Sequence, residues 1–399
     1  MEETMNIKKY YIYNIFNDLM PIYPLYLLMF ESKGLSLLQI SLLLSIWSVP
    51  AVILEIPTGI LADRWSRRNM VAIGEMLKAL CFFLWMFADG FHLYAVGFVF
   101  WGLGGAFQSG AEEALLFDSL KIQNREEQFE QVLGKGRFLH GMSNMLAAVS
   151  GGFLGTWFGY QAALGLSIIS GLITAGIIFS MKEVNLYKEH RQKPETKEEG
   201  TLLSSLSFLI HRRQLLLITL MAVFVVTTAD TLDEYDQLIA KGYGLTISMI
   251  GIWTALRFIM ISLGSYLAGG LRIILERFFR CRDGMDSISL LCVAAAICLL
   301  VSGVVDQIGI MCLYGMYYLF LSSAEVLQED YIHQRIDKEG RATVHSLISL
   351  SRNIYGILFY SLFGLAATGI GLHHTLIAVS FYMIVWTGAV KMLHKRNSQ

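Results

Sequence analysis

Gly59-Ile60-Leu61-Ala62-Asp63-Arg64-Trp65-Ser66-Arg67-Arg68 is a tight basic turn between two apolar helices. One helix runs into it from Leu37, and the next leaves it at Met70. Charge confined to a short turn, with long apolar runs on both sides, marks a chain that crosses a bilayer and turns at its surface.

The rest of the chain follows that pattern. Its 399 residues are 55% hydrophobic and 16% charged, against about 25% charged in a soluble domain, and the mean hydropathy is +0.53. Apolar runs of about 20 residues, each able to span about 30 Å of hydrocarbon, recur from end to end. They predict twelve helices, over 7–30, 37–62, 68–89, 91–117, 134–157, 160–181, 214–238, 246–271, 286–304, 307–332, 341–365 and 368–392. The net charge of −1 says nothing about partners, because the charges are segregated. Lys8 and Lys9 precede a first apolar run too long for a signal peptide and lacking a small-residue cleavage site, so that run is expected to stay as a span. The five cysteines show no metal-ligand spacing and read as helix packing.

Lysines and arginines set the orientation. With the amino terminus inside, the inner segments hold Lys8, Lys9, Arg64, Arg67, Arg68, Lys121, Arg125, Lys135 and Arg137, and later Arg272, Arg277, Arg280, Arg282, Arg335, Lys338, Arg341, Lys391, Lys395 and Arg396. The outer loops hold only Lys33 and Lys241. This asymmetry predicts a multi-pass protein of the plasma (inner) membrane with both termini cytoplasmic. The longest hydrophilic stretch, 182–213, reads as a cytoplasmic linker between an N-terminal six-helix bundle, 1–181, and a C-terminal one, 214–399. Leu202 to Ile210 within it is apolar on one side and is expected to lie in the interface as a short helix.

The halves repeat each other. Gly34-Leu35-Ser36 opens the second helix and Gly244-Leu245-Thr246 the eighth, 210 positions later (244 − 34). The same offset sets Gly59 on Gly269, Trp47 on Arg257, and Asp63 on Ile273, so the basic turn is degenerate in the second half. Ser109-Gly110-Ala111-Glu112 likewise matches Ser322-Ser323-Ala324-Glu325, each followed by a charged loop and Gly-Arg, at Gly136-Arg137 and Gly340-Arg341.

The basic turn resembles the loop between the second and third helices of the major facilitator superfamily of secondary transporters. The family pattern there is G-x-x-x-D-(R/K)-x-G-(R/K)-(R/K). Gly59, Asp63, Arg64, Arg67 and Arg68 match it, and Ser66 stands where the second glycine would be. With the repeat and the topology, the resemblance covers essentially the whole chain. It implies an all-α membrane protein of twelve transmembrane helices in two six-helix repeats. It also implies a central cavity lined by helices one, four, seven and ten, with three, six, nine and twelve outside, and alternating access by rocking of the two bundles. The end of the fourth helix, Ser109 to Leu120, resembles a bacterial efflux-type branch of drug–proton antiporters. The Gly-Pro pair of that branch's fifth helix is absent: Ala147-Ala148 stands in its place, before Gly151-Gly152.

Charge inside a bilayer is costly unless paired or wetted, which makes each such residue a functional candidate. Asp18 falls near the middle of the first helix, in a polar aromatic run before Pro21 and Pro24, and shares a face with Asn14 at i,i+4. Glu112 and its repeat partner Glu325 read as cavity carboxylates; the alternative is a salt bridge to Arg137 or Arg341. Asp18, Glu112 and Glu325 are the expected proton-coupling groups, with Asn14, Asp230, Arg257 and Arg352 beside them. Arg257 and Arg352 are expected to form internal ion pairs with Asp230, Glu325 or Glu329; the alternative is that they bind an anionic group. Asp63, Arg67, Arg68 and Asp118, with Gly59, Arg64, Arg137 and Arg341, form the expected cytoplasmic gate. In it, by family resemblance, Asp63 meets the amino end of the eleventh helix and an arginine of the turn pairs with Asp118. Glu75 and Lys78, i,i+3 on a peripheral helix, read as a local pair. Asp230, Asp233, Glu234 and Asp236, at the outer end of the seventh helix, read as a solvated helix end or as a cluster that gathers cations at the outer mouth. Tyr13, Tyr23, Tyr26, Trp47, Tyr314, Tyr317 and Tyr318 read as packing or as stacking groups for an amphipathic substrate.

No phosphate loop, nucleophile elbow or metal-ligand cluster is present, so neither an enzyme nor a cofactor is expected. The expected partners are a small-molecule substrate, protons and the lipid bilayer, with no nucleic acid and the chain acting as a monomer. The expected function is proton-coupled export of an amphipathic small molecule. Uptake by proton symport and a non-transporting sensor or assembly role are the alternatives.

Overall fold

The computed structural model describes residues 3–186, 212–279, 281, 283–335 and 341–397; the side chains of 3–5, 55, 56, 63, 341–346 and 397 stand outside that description. The linker beyond Leu186, with its expected interfacial helix at 202–210, lies outside the described residues. The described residues form helices and turns with no strand. In chain order the helices are α1 (Glu3–Phe16), α2 (Tyr26–Ser32), α3 (Leu37–Arg64), α4 (Arg67–Met86), α5 (Phe91–Gln108), α6 (Ala111–Lys121), α7 (Phe129–Trp157) and α8 (Gly159–Phe179). They continue with α9 (Arg213–Met221), α10 (Thr227–Leu232), α11 (Asp236–Gly242), α12 (Ile247–Phe279), α13 (Gly284–Val304), α14 (Met311–His333), α15 (Arg341–Ile370) and α16 (Leu372–Asn397).

Among the described residues, nine helical stretches are long and apolar enough to cross a membrane. The other three expected spans are helical but less uniform. The first is split into α1 and α2, the fourth is divided at Ser109-Gly110, and the fifth, α7, carries Lys135, Arg137 and His140. The chain groups into two units, Met1–Glu195 with Thr246–Ala255, and Thr196–Leu245 with Leu256–Gln399. In the first, α4 packs on α5 and α8, and α1 on α7; in the second, α13 packs on α14 and α16.

The repeated Gly-Leu-Ser/Thr has a conformational cause. Gly34 and Gly244 end their helices in the left-handed region, at φ +83° and +84°. The next amide then turns back: Leu35 N donates to Phe30 O at 3.2 Å and Leu245 N to Ala240 O at 3.1 Å. That six-to-one closure with a left-handed glycine is a Schellman end. Ser36 at once caps α3 in a reciprocal box with Gln39, and Thr246 Oγ1 accepts from Met249 N at 3.4 Å.

The first span is expected to run unbroken over 7–30, but it stops at Phe16 and resumes at Tyr26. Pro21 and Pro24 have no amide hydrogen and cannot continue a helical ladder. Serine hydroxyls of neighbouring helices take over the freed groups. Ser143 of α7 donates to Ile15 O, Ser170 of α8 donates to Phe16 O at 2.9 Å, and Ser167 Oγ accepts from Ile22 N at 3.1 Å. The seventh span is also irregular, with a π turn at Ala222–Val226 and a 3-10 turn at Asp233–Tyr235. There Tyr382 donates to Phe224 O at 2.7 Å and Trp386 to Leu220 O at 3.3 Å.

Several of the aromatic residues pack on one another. Trp85, Tyr26, Phe30, Phe98 and Trp101 form a buried cluster in the first unit, with Phe30 and Trp85 centroids 5.0 Å apart. Trp47 adds to it against Trp101.

The break needs room beside it. A Cβ at Gly151 of α7 would collide with the Pro21 carbonyl oxygen, whereas Gly165 of α8 faces open space. Gly151→Val should therefore cost about 1–3 kcal/mol through overpacking and lower the unfolding temperature in detergent. Gly165→Ala should leave that temperature unchanged or slightly raise it.

Candidate functional site

The break in the first span sets Asp18 free of a helical ladder. Its Oδ1 lies 2.6 Å from Lys78 Nζ on α4, and its Oδ2 lies 3.4 Å from His140 Nε2 on α7. The Lys78 side chain is 10% exposed and that of Asp18 30%, so the pair is sheltered yet open on the aspartate side. The expected local pair between Glu75 and Lys78 is not formed. Glu75 is instead fully buried, with Oε1 accepting from Gln108 Nε2 of α5 at 2.9 Å. Lys78 reaches across to Asp18 because the proline break brings that carboxylate to it. Asn14 does not join the group: its Nδ2 donates back to Tyr10 O at 2.8 Å, one helical turn earlier.

Glu112 and Glu113 open α6 just after Gly110, and adjacent helical residues diverge. Glu112 accepts from the Tyr13 hydroxyl at 3.1 Å. Glu113 is exposed and pairs with Arg137 at 3.0 Å. The alternative of a Glu112–Arg137 bridge is thereby corrected, since Arg137 takes the outward carboxylate. A small cavity of about 10 Å³ lies beside Glu112, lined also by Asn6, Tyr10 and Ser119.

At the basic turn, the Arg67 guanidinium is ion-paired with Asp118 of α6, both nearly buried, and also donates to Ala114 O at 3.2 Å. Asp118 Oδ2 additionally accepts from Leu186 N at 3.0 Å. The segment after α8 closes over the turn. Glu183 accepts from the Ser66 hydroxyl, from Arg67 N at 3.0 Å and from Arg68 N at 3.2 Å, placing a carboxylate on the amino end of α4. Asn185 Nδ2 donates to Ala62 O and Trp65 O, both at 3.0 Å, at the carboxyl end of α3. Arg68 donates to Met181 O at 3.1 Å. Arg64 is exposed, and Gly59 has open space around it. The side chains of Asp63 and Arg341 lie outside the described residues.

The second unit holds its own charged centre. Arg257 of α12 lies 3.1 Å from Asp233 Oδ2 and 3.2 Å from Asp236 Oδ2. Tyr314 and Tyr318 of α14 donate to Asp236 Oδ1 at 2.6 and 2.7 Å. The expected solvated helix end is thus corrected for Asp236, 1% exposed, and Glu234, 6% exposed, whereas Asp230 is exposed. A 3-10 turn has three residues per turn, so Asp233 and Asp236 stack on one side and meet the same guanidinium. Arg257 pairs with these two rather than with Asp230, Glu325 or Glu329. Arg352 pairs with Glu325 at 3.2 Å. Asp230 and Glu325 line a small cavity of about 40 Å³ with Asp233, Tyr318 and Ser322.

The sequence reading does not find Lys78, His140, Gln108, Glu183 or Asn185 as site residues. Lys78 does carry a signal, a charge in the middle of an apolar span, but its helix reads as peripheral. Glu183 and Asn185 have only capping chemistry to mark them, and their helix ends are distant in sequence.

A family model described as Major Facilitator Superfamily matches residues 11–360. A Bacillus subtilis protein described as an uncharacterized MFS-type transporter, YxaM, is 21% identical over 375 residues, covering 91% of this chain and 89% of that protein. Among solved structures, the nucleoside transporter NupG aligns with TM-score 0.76 at 13% identity, over 98% of this chain and 99% of that one. A bacterial homolog of the human lysosomal transporter Spinster, inward-facing and unoccupied, aligns with TM-score 0.78 at 14% identity, over 99% of this chain and 97% of that one. At these identities the two structures speak for the fold alone.

The Glu183 cap makes a checkable difference to stability. Glu183→Ala removes the acceptor for three donors of one turn and should cost about 1–2 kcal/mol, read as a lower unfolding temperature of the purified protein. Glu127→Ala, at an exposed site, should change stability by less than about 0.5 kcal/mol.

Proposed function

The chain belongs to the Major Facilitator Superfamily and is a membrane transporter of that type, and from this premise we propose that it is a proton-coupled secondary transporter exporting an amphipathic small molecule. The observation that carries this reading is the Asp18–Lys78–His140 centre. A partly exposed carboxylate held by a sheltered ammonium can take up a proton, or the cationic end of a substrate, but not both at full strength. Competition between the two for one group is what couples their movements. A single chain works by alternating access, in the plasma membrane, with both termini in the cytoplasm. Glu112, Asp230 and Glu325 are the further coupling carboxylates, each beside a cavity. The Arg67–Asp118 pair, with Asp63, Arg64, Arg68 and Arg341, forms the cytoplasmic gate, held by contacts that break when the inner side opens. Removing one partner of such a buried pair by mutation costs about 3–5 kcal/mol, so a substitution there should shift a two-state opening strongly.

Proteoliposomes with an imposed pH gradient test the reading, using a panel of cationic dyes, antibiotics and small metabolites. Gradient-driven flux is expected, opposite in direction to the protons. Asp18→Asn should reduce it at least about tenfold, a barrier change of about 1.4 kcal/mol, and Glu112→Gln should weaken it. Flux in the same direction as the protons would replace export by uptake. Flux indifferent to the gradient would remove the proton from the mechanism.

A further inference from the structure

Glu75 sits in α4 with no exposed surface. Its Oε1 accepts from Gln108 Nε2 at 2.9 Å, and its Oε2 has no hydrogen-bond partner. The charged groups acting on it are Lys78 on its own helix, Asp18 at the break of the first span, and Glu112 at the start of α6. α5 faces it with the neutral Gln108, α8 approaches it with Gly171, and Tyr13 of α1 gives its hydroxyl to Glu112. His140 of α7 reaches Asp18. Lys78 is three residues from Glu75 on one helix, so both carboxyl groups are within reach of one ammonium. That ammonium is committed to Asp18, at 2.6 Å. An ionised Glu75 would then be a buried carboxylate with one neutral donor, an arrangement that costs several kcal/mol. The partnerless oxygen is where a proton fits.

Building on the transport reading above, we propose that Lys78 is a counter-ion shared between Asp18 and Glu75, so that occupation of Asp18 by a substrate cation releases a proton from Glu75. In the resting arrangement Asp18 is ionised and paired with Lys78, and Glu75 is protonated. A cation arriving at Asp18, the more open of the two, displaces the ammonium. Lys78 turns along its own helix to Glu75, which gives up its proton toward the open side of Asp18. The charge balances: one positive charge enters, one proton leaves, and the cluster keeps its net charge. The substrate class this fits is a singly charged organic cation, exchanged for one proton.

Infrared difference spectroscopy on the purified full chain at neutral pH reads the exchange without any substrate. The carboxylic-acid carbonyl band of one group should be present in the wild type and missing in Glu75→Gln. Asp18→Asn, which frees Lys78, should remove the same band. Lys78→Met should keep it and add a second from Asp18. The amide bands of the same spectra report whether each variant is folded, and Lys78→Arg, which keeps the charge, should resemble the wild type. A wild type without a band assignable to Glu75, or a folded Asp18→Asn protein that retains it, overturns the proposal. Because the readout needs no flux, absence of transport with intact band exchange would count against the transport reading alone. Normal gradient-driven flux without band exchange would count against the shared counter-ion alone.

Discussion

A chain inside hydrocarbon must satisfy its backbone amides and carbonyls internally, and Pro21 and Pro24 interrupt that arrangement in the first span. The solution is borrowed from the neighbours. Ser143, Ser167 and Ser170 take over backbone groups, and Gly151 lets α7 approach the Pro21 carbonyl. Each unsatisfied group would cost several kcal/mol, so the break is stable only because α7 and α8 bring hydroxyls to it. That break also takes Asp18 out of the helical ladder and presents it to Lys78 and His140. Fold and candidate site therefore rest on the same event.

The two units use charge differently. In the first, the cation comes from the third span as Lys78, and its acid, Asp18, comes from the break in the first span. In the second, Arg257 occupies the repeat position of Trp47 and meets two aspartates brought together by a 3-10 turn. Tyr314 and Tyr318 then complete the shell of Asp236. A guanidinium with two carboxylates and two phenols is a tightly held group. A lysine with one partly exposed carboxylate is a loosely held one, better suited to exchanging partners.

The basic turn shows how helix ends, rather than side-chain pairs alone, organise a surface. Glu183 sits on the amino end of α4 and Asn185 on the carboxyl end of α3, so one short segment after α8 serves both sides of the same turn. A carboxylate at the amino end and an amide donor at the carboxyl end each match the sign of the helix dipole there. Asp118 joins this segment to the arginine pair by accepting from Leu186 N.

Apolar run lengths, the Gly-Leu-Ser/Thr repeat and the basic turn made the helical membrane fold and its family legible in the sequence, because these are local properties of consecutive residues. The prolines at 21 and 24 announced a break in the first span, yet the apolar pattern around them still read as one helix. The partners of Asp18, Glu75, Glu183 and Asp236 were not legible. Each is chosen by which side chain another element delivers within about 3 Å, and periodicity within one segment carries no information about that. The sequence by itself determined which residues sit in hydrocarbon, since transfer free energy depends on composition. Only the tertiary structure decided which buried charge neutralises which, since Coulomb energy depends on distance across elements that the chain order separates.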